Sequence, residues 1–561
     1  MNSSLLFILA FFGCPALMLV IASSVRPDND AKNYLFAGVS FFVILLSTVS
    51  SIVGVACLLS GLVGISALYG FAIGVSVLAG FALVYPIIAY KIFSSPDVID
   101  VFDLDLASKD RPARTVLYFL VNGLPVFTQR FFYYTYCLLV FCMLLVESLY
   151  LYIWITYNFG IFDGADIIFY FLFQAITIAY VQGNGYRSVL RTDRLQCLFI
   201  FAVCVGGLFY FAKETLFRTG AGPAMQYVAD AMQISPGLSQ VFPTSFNTIF
   251  CAIGLLILAG GWFLSSPDMW VRMSRSIQRS TESRVLLVGG SHTVSLKTFF
   301  VFAGILIGTL MLLPLLVGLA GFGEENFPGS TNILADKARF AIQKIIAYVP
   351  SGYDPAHTGV FGGYSELVTF GVLVIISMAA MTTIDTTAIS LAQLKYDYDV
   401  NIARTAEEHG YNGRYRRLMI NVFGYVLFMP PLIDVLLDKA GLLAVAGFIG
   451  MAMGGLAVGT FITIIVRILF ADGYRAYAHS VWWRFLSGCL GATALWFLGY
   501  GLAKLNEGTD AGTYIPFEPE PWLNLGQMGV LQVVALTLAY WPIIKGGQNR
   551  SEVTAEEGEY E

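Results

Sequence analysis

Long apolar runs, each closed by a short polar or glycine-rich stretch, recur along the whole chain. They fall at roughly 4–24, 37–62, 66–93, 117–157, 166–184, 194–213, 246–265, 296–321, 366–392, 418–437, 441–470, 482–503 and 526–545. A helix needs about 18 or more apolar residues to cross a hydrocarbon core. The pattern therefore predicts thirteen spans. The run at 117–157 fits either one very long helix or an interfacial piece, Val116 to Gln129, leading into a spanning helix from Arg130.

Composition supports the pattern. Of 561 residues, 57% are hydrophobic and 12% charged, about half the charged fraction of a soluble domain. Disorder, collagen, coiled coil and disulfide-rich scaffolds are excluded. Net charge is −5 with no extended basic block, which argues against nucleic-acid binding. All eight cysteines lie in or beside apolar runs, as small buried residues do. The four histidines have no metal-ligand spacing. The chain is read as an all-α, multi-pass protein of a lipid bilayer, the cell membrane being the expected location.

Basic residues then set an orientation. With thirteen spans and the N-terminus outside, inside loops carry twenty-four of the 32 lysines and arginines and outside loops seven. That is the asymmetry of the positive-inside rule. Splitting the 117–157 run in two would reverse every later loop, so one span is retained. The C-terminus is then cytoplasmic, and the acidic tail after Ser551 is expected to be disordered. Irregular structure with short helices is expected in the outside loops at 214–245 and 322–365.

The stretch from Tyr180 to Gln196, YVQGNGYRSVLRTDRLQ, carries more information than a loop usually does. Gly183 and Gly185 permit a tight reversal. Thr192-Asp193 suits a helix N-cap for the sixth span. By residue chemistry alone it is a basic cytoplasmic turn. Polar residues also enter the spans. Thr382, Thr383, Thr386 and Thr387 crowd around Asp385, and Glu147 sits in the fourth span near Tyr150 and Tyr152. Ionisable groups at membrane depth are costly and serve function or pair with one another.

Tyr180, Gly185, Val189, Thr192, Asp193 and Gln196 stand at the spacing of the signature of the solute:sodium symporter family, which the chain resembles. Asn184 replaces the signature's first glycine, Ser188 an alanine and Val181 a threonine, marking a divergent member. Three other stretches sit in family order. Asn33 to Gly38 resembles the lead into the second helix, and Trp262 to Arg272 the inner end of the seventh. Met381-Thr382-Thr383-Ile384-Asp385-Thr386 resembles the hydroxyl-rich run of the ninth, followed by a terminal acid near Asp397 or Asp399.

The resemblance implies a leucine-transporter-like fold with two five-helix repeats of opposite orientation. Here they would be 37–215 and 246–470, joined by an outside loop at 216–245. An extra helix and loop (1–36), two further helices (471–545) and a cytoplasmic tail (546–561) complete the chain. The first helix of each repeat is expected to be broken. Ser50-Ser51-Ile52-Val53-Gly54 and Gly61-Leu62-Val63-Gly64 make the second span breakable, and Gly254 and Gly260-Gly261 do so more faintly in the seventh. Both clusters also suit close helix packing. By the same resemblance, Thr382 and Thr383 would offer hydroxyls to sodium, with backbone carbonyls near Ser51 and Gly54. Asp385 would orient ligands or gate the exit. Glu147 is open to three readings: partner of a cationic substrate, proton site, or a carboxyl bonded to tyrosines.

The function implied is sodium-coupled symport of a small organic solute, with no other cofactor. A transporter-shaped sensor or regulatory subunit is the alternative. No metal motif, nucleophile elbow or phosphate loop supports an enzyme.

Overall fold

A computed structural model describes residues 3–25, 29–36, 41–54, 56–104, 112–159, 166–216, 246–279, 285–289, 292–320, 362–506 and 521–558. Among these, eleven helices are long and apolar enough to cross a membrane, and a bent pair makes a twelfth. The short apolar helix Phe41–Ile52 is the first half of the second span. Every apolar run of the sequence thus corresponds to a helix. Of the loops expected to be irregular at 214–245 and 322–365, residues 217–245 and 322–361 lie outside the described residues, while 214–216 and 362–365 belong to the adjoining helices.

In an apolar eighteen-residue stretch of each, the fourth and ninth spans, Val126–Tyr157 and Phe370–Ile402, are 78% and 89% buried, whereas the tenth and twelfth, Gly413–Leu437 and Val481–Gly499, are 22% and 28% buried. The first pair therefore forms the centre of the bundle, and the second faces lipid with side chains such as Phe428, Leu436, Trp483 and Phe497. The fourth span resolves the ambiguity of its sequence. A one-and-a-half-turn helix, Val116–Val121, comes first. Gly123, at φ +81°, and Pro125 then turn the chain into the single long helix beginning at Val126. The interfacial piece is shorter than expected, and span 4 crosses once.

The second and seventh spans are both interrupted, as first helices of inverted repeats are. The second stops after Ile52, passes through Val53-Gly54 without helical structure, and resumes as wide turns from Ala56 to Gly64. The seventh bends by 59° between Ile249–Ser265 and Pro267–Ser274. Pro267 has no N–H to continue the ladder and is tolerated only in a first turn. The bend is therefore at Ser266, not at Gly254 or Gly260-Gly261. Those glycines serve close packing. A methyl on Gly254 would overlap the Gly526 carbonyl of the last span, one on Gly261 would lie 2.7 Å from the Phe461 ring, and one on Gly260 2.5 Å from Val84.

Spans 2 and 3 are joined without an irregular loop. A Cβ on Gly74 would overlap Ser66 Oγ. Eight residues along a straight helix separate two atoms by about 12 Å, so the chain doubles back between them.

Two features were not expected. Residues Ile277–Arg279, Val285–Gly289 and His292–Ser295 form a three-stranded antiparallel meander between spans 7 and 8. The last helix continues to Gly558, through most of the tail expected to be disordered.

Candidate functional site

The Tyr180–Gln196 stretch is no surface turn. The fifth span ends at Asn184, and Gly185, at φ +68°, reverses the chain into the helix Tyr186–Leu216. A Cβ at Gly185 would lie 2.5 Å from the Tyr34 carbonyl. Tyr34 in turn donates its hydroxyl to the carbonyls of Val181 (3.2 Å) and Gln182 (3.0 Å) at the end of the fifth span. Burial pushes that phenol up to about 12, with Arg416 drawing it partly back, so it remains a donor. Thr192 and Asp193 are not an N-cap. They sit two turns inside the sixth span, both fully buried.

Asp193 organises the interior. Its Oδ2 accepts from Ser47 Oγ of span 2 (2.5 Å) and from Arg272 Nη2 of span 7 (3.2 Å), and its Oδ1 accepts from Thr382 Oγ1 of span 9 (2.9 Å). Arg272 also pairs with Asp268 one turn before it (2.7 Å), reaches Thr386 Oγ1 (3.4 Å), and donates through Nε to Tyr186 (3.3 Å). Four spans are tied together by one guanidinium and one carboxylate. Arg272, at the inner end of span 7, is buried and paired. The i, i+4 spacing of Asp268 and Arg272 was the sequence signal for the pair. Asp385 stands behind this group and accepts a short hydrogen bond from Tyr180. Its Oδ1 has no protein partner among the described residues.

The expected ion-site residues divide between two places. Thr382 points to Asp193 and to Ser50 Oγ (3.2 Å). Thr383, one residue on, donates to its own turn at Ala379 O (3.1 Å). Its oxygen faces the break in span 2, where a Cβ on Gly54 would lie 2.8 Å from Thr383 Oγ1 and would overlap Glu147 Oε1. Ser51, half-buried, donates to Ser47 O at 2.9 Å. Carbonyls in the last turn of a helix lack intrahelical donors, so the end of Phe41–Ile52 supplies acceptors beside Thr383 and Glu147. These oxygens suit a hard cation. No group of three or more His, Cys, Asp or Glu that could hold a metal occurs among the described residues.

Thr383, Gly54, Ser51 and Glu147 line one cavity of about 120 Å³ between spans 2, 3, 4, 7, 9 and 11. At about 10–15 Å³ for each water-sized position, this is room for on the order of ten such positions. Its walls are mostly apolar and aromatic, with Tyr150, Trp262 and Phe263 among them. Asp268, Arg272, Thr386 and Thr387 form its other polar edge. Thr382 and Asp385 stay in the wall.

Two other acids are bonded across the bundle. Asp434 accepts from Tyr152 (2.7 Å) and from Tyr157. Asp397 accepts from Thr115 N (2.9 Å), Thr115 Oγ1 (2.6 Å) and Tyr118 N (3.2 Å), at the start of the Val116–Val121 helix.

The chain is similar in structure to a sodium-coupled sialic acid symporter solved in a substrate-bound, outward-open state. The TM-score is 0.60 at 13% identity, over 95% of this chain and 96% of that one. Weaker likenesses are to Mhp1, a nucleobase-cation-symport-1 family transporter (TM-score 0.46, 11% identity, 94% and 96% covered), and to MhsT bound to L-phenylalanine (0.44, 13%, 89% and 98%). No family model and no curated protein matches the sequence. The fold is the leucine-transporter-like inverted repeat.

Proposed function

We propose that this chain is a sodium-coupled symporter of a small organic solute, working by alternating access, and a divergent relative of the solute:sodium symporters. One observation carries the reading. The non-helical break at Val53-Gly54 faces a hydroxyl, Thr383, and a carboxylate, Glu147, at the edge of a cavity between the two interrupted helices. Broken helices of this kind present carbonyls to ions and substrate near the midplane. Sodium bound there would tie span 2 to span 9 and favour the solute-competent state. Its entry down the gradient supplies about 2.3 kcal/mol per 100 mV for each charge. Asp193 and Arg272 hold spans 2, 6, 7 and 9 in register around the cavity. Orientation follows the basic residues, with the N-terminus outside and the C-terminus in the cytoplasm of a cell-membrane protein.

The test is accumulation of solutes from a small-metabolite mixture by proteoliposomes, read by mass spectrometry. Accumulation under an inward sodium gradient, lost with a potassium gradient or a sodium ionophore, is the expected result. Sodium-dependent retention that never exceeds binding stoichiometry would overturn transport in favour of sensing. Labelling from the exterior of intact cells of a cysteine placed at Ser551 would overturn the orientation.

A further inference from the structure

We propose that the solute is an uncharged amide or alcohol with an apolar, ring-sized body, seated on the bare face of span 11 with its hydrogen-bond donor at Thr48. This deepens the symporter reading and rests on it.

The charged side chains among the described lining residues are committed. Asp268 and Arg272 are paired with each other at 2.7 Å, and Arg272 also reaches Asp193 behind the wall. Glu147 stands at the Gly54 break, where the proposed sodium ion balances it. With sodium in place, Glu147, Asp268, Arg272 and the ion sum to zero, which leaves no charge of either sign for a solute. An ionised group moved from water into a mostly apolar cavity without a counter-charge is strongly disfavoured. A zwitterion would need a partner for each end.

The hydroxyls of the wall are committed in one direction. Ser51 donates to Ser47 O (2.9 Å), Thr383 to Ala379 O (3.1 Å), Thr387 to Thr383 O, and Tyr85 to Met269 Sδ (3.2 Å). Their hydrogens are used within the protein, and what remains for a solute is their lone pairs. A polyol would leave its own acceptors unmatched here, at a cost for each. Thr48 stands apart. It lines the cavity three residues before Ser51, is 2% exposed, and its Oγ1 has no partner among the described residues. An orphaned polar atom is costly to bury, and a single N–H or O–H of the solute would satisfy it.

Span 11 leaves room for the body. Ala446, Gly447, Gly450 and Met453 line the cavity, at the spacing of one helix face. A Cβ on Gly450 would meet nothing within 4 Å. Trp262 and Phe263 of span 7 add aromatic area, with Phe263 edge-on to Phe81 (5.8 Å), which lines the same cavity. A ring is held among such rings by edge and face contacts. The cavity of about 120 Å³ limits the solute to on the order of ten heavy atoms.

Probes of one shape separate charge and donor from fit: benzamide (uncharged, with N–H), acetophenone (uncharged, without N–H), benzoate (negative) and benzamidinium (positive). Erythritol and 2-phenylglycine stand for a polyol and a zwitterion. Melting of the purified full chain in detergent is followed as each is titrated, in sodium chloride and in potassium chloride. Benzamide is expected to raise the melting temperature saturably in sodium. Acetophenone should bind about fivefold more weakly, the factor for one neutral hydrogen bond, and the other four should have no effect. Thr48→Val keeps the shape and removes an unpartnered hydroxyl, so it should not lower the melting temperature of the free chain. It should weaken benzamide about fivefold and erase its advantage over acetophenone, with the sodium response as in the parent. Gly450→Leu should weaken both uncharged probes about tenfold or more by filling their place. Stabilisation by benzoate, benzamidinium, erythritol or phenylglycine, no benzamide effect, or parent-like benzamide affinity in Thr48→Val or Gly450→Leu would each overturn the proposal. If sodium alone stabilises the chain and benzamide does not, the solute class fails while the symporter reading stands. If benzamide binds equally in both salts, sodium coupling fails and the solute class stands.

Discussion

Asp193 and Arg272, 79 residues apart, meet inside the bundle with Oδ2 and Nη2 at 3.2 Å, each fully or nearly fully buried. Asp268 closes the other side of the guanidinium at 2.7 Å. The arrangement has a direct consequence. Removing a partner from a buried ion pair leaves an uncompensated charge and costs about 3–5 kcal/mol. Arg272→Met should therefore lower the melting temperature steeply or abolish expression. Arg272→Lys should do nearly as badly, because an ammonium lacks the planar fork that reaches two carboxylates and Tyr186 together. A Lys variant melting like the parent would show that charge alone suffices.

Gly185 and Gly123 have similar backbone angles and opposite surroundings. Both have positive φ, but a Cβ on Gly185 would run into Tyr34, whereas one on Gly123 would meet nothing within 4 Å. Gly123→Ala should cost only the left-handed conformation, about 1 kcal/mol. Gly185→Ala carries that cost plus displacement of Tyr34, whose hydroxyl anchors the end of span 5. Melting temperatures of the two variants should separate in that order. Equal losses would mean that Tyr34 moves aside freely.

The sequence made these spans legible because hydropathy is a property of each run by itself. The same holds for the break at Gly54, where small and hydroxyl residues weaken a local helix. What it could not show was which polar groups converge. Thr192-Asp193 reads locally as a cap because Asp favours helix starts. Its burial depends on Ser47, Arg272 and Thr382, which come from three other spans. Asp434 reads as solvated for the same reason, its tyrosine partners lying on span 4. In span 7 the glycines were the visible breakers, yet Ser266-Pro267 makes the bend and the glycines make room for neighbours. The family resemblance, not residue chemistry, raised the Tyr180–Gln196 stretch above a basic turn.

Asp397 offers a test of a helix start built from another span. Its Oδ2 receives Thr115 N, Thr115 Oγ1 and Tyr118 N, while Oδ1 receives Asn401 Nδ2 at 2.8 Å. Charge-assisted caps of this kind are worth about 0.5–2 kcal/mol. Asp397→Ala should lose that much stability and free the Val116–Val121 helix. Asp397→Asn keeps an acceptor and should lose less. Hydrogen exchange of amides 116–121 reads the effect locally. Unchanged protection in Asp397→Ala would show that the helix is held by packing instead.

Thr382 and Thr383 are adjacent in sequence, yet the structure predicts different defects for them. Thr383 Oγ1 faces the break at Gly54, next to Glu147, and donates to its own turn at Ala379 O. Thr383→Ala removes one neutral oxygen from that corner and leaves backbone acceptors and the carboxylate. The apparent sodium affinity should fall about tenfold, which is 1.4 kcal/mol, with the melting temperature in potassium little changed. Thr383→Ser keeps the oxygen and should restore affinity. Thr382 instead donates to Asp193 Oδ1. Thr382→Ala leaves that buried acceptor short of a donor, a cost of about 1–3 kcal/mol. Stability should then fall equally in sodium and potassium. Gly54→Ala is the sharpest probe, since its methyl would overlap Glu147 and crowd Thr383. It should abolish the sodium response altogether. Sodium titrations of the melting temperature for the four variants decide the matter. If Thr383→Ala responds to sodium like the parent while Thr382→Ala does not, the ion sits with Asp193 and Thr382, and the break at Gly54 serves the solute.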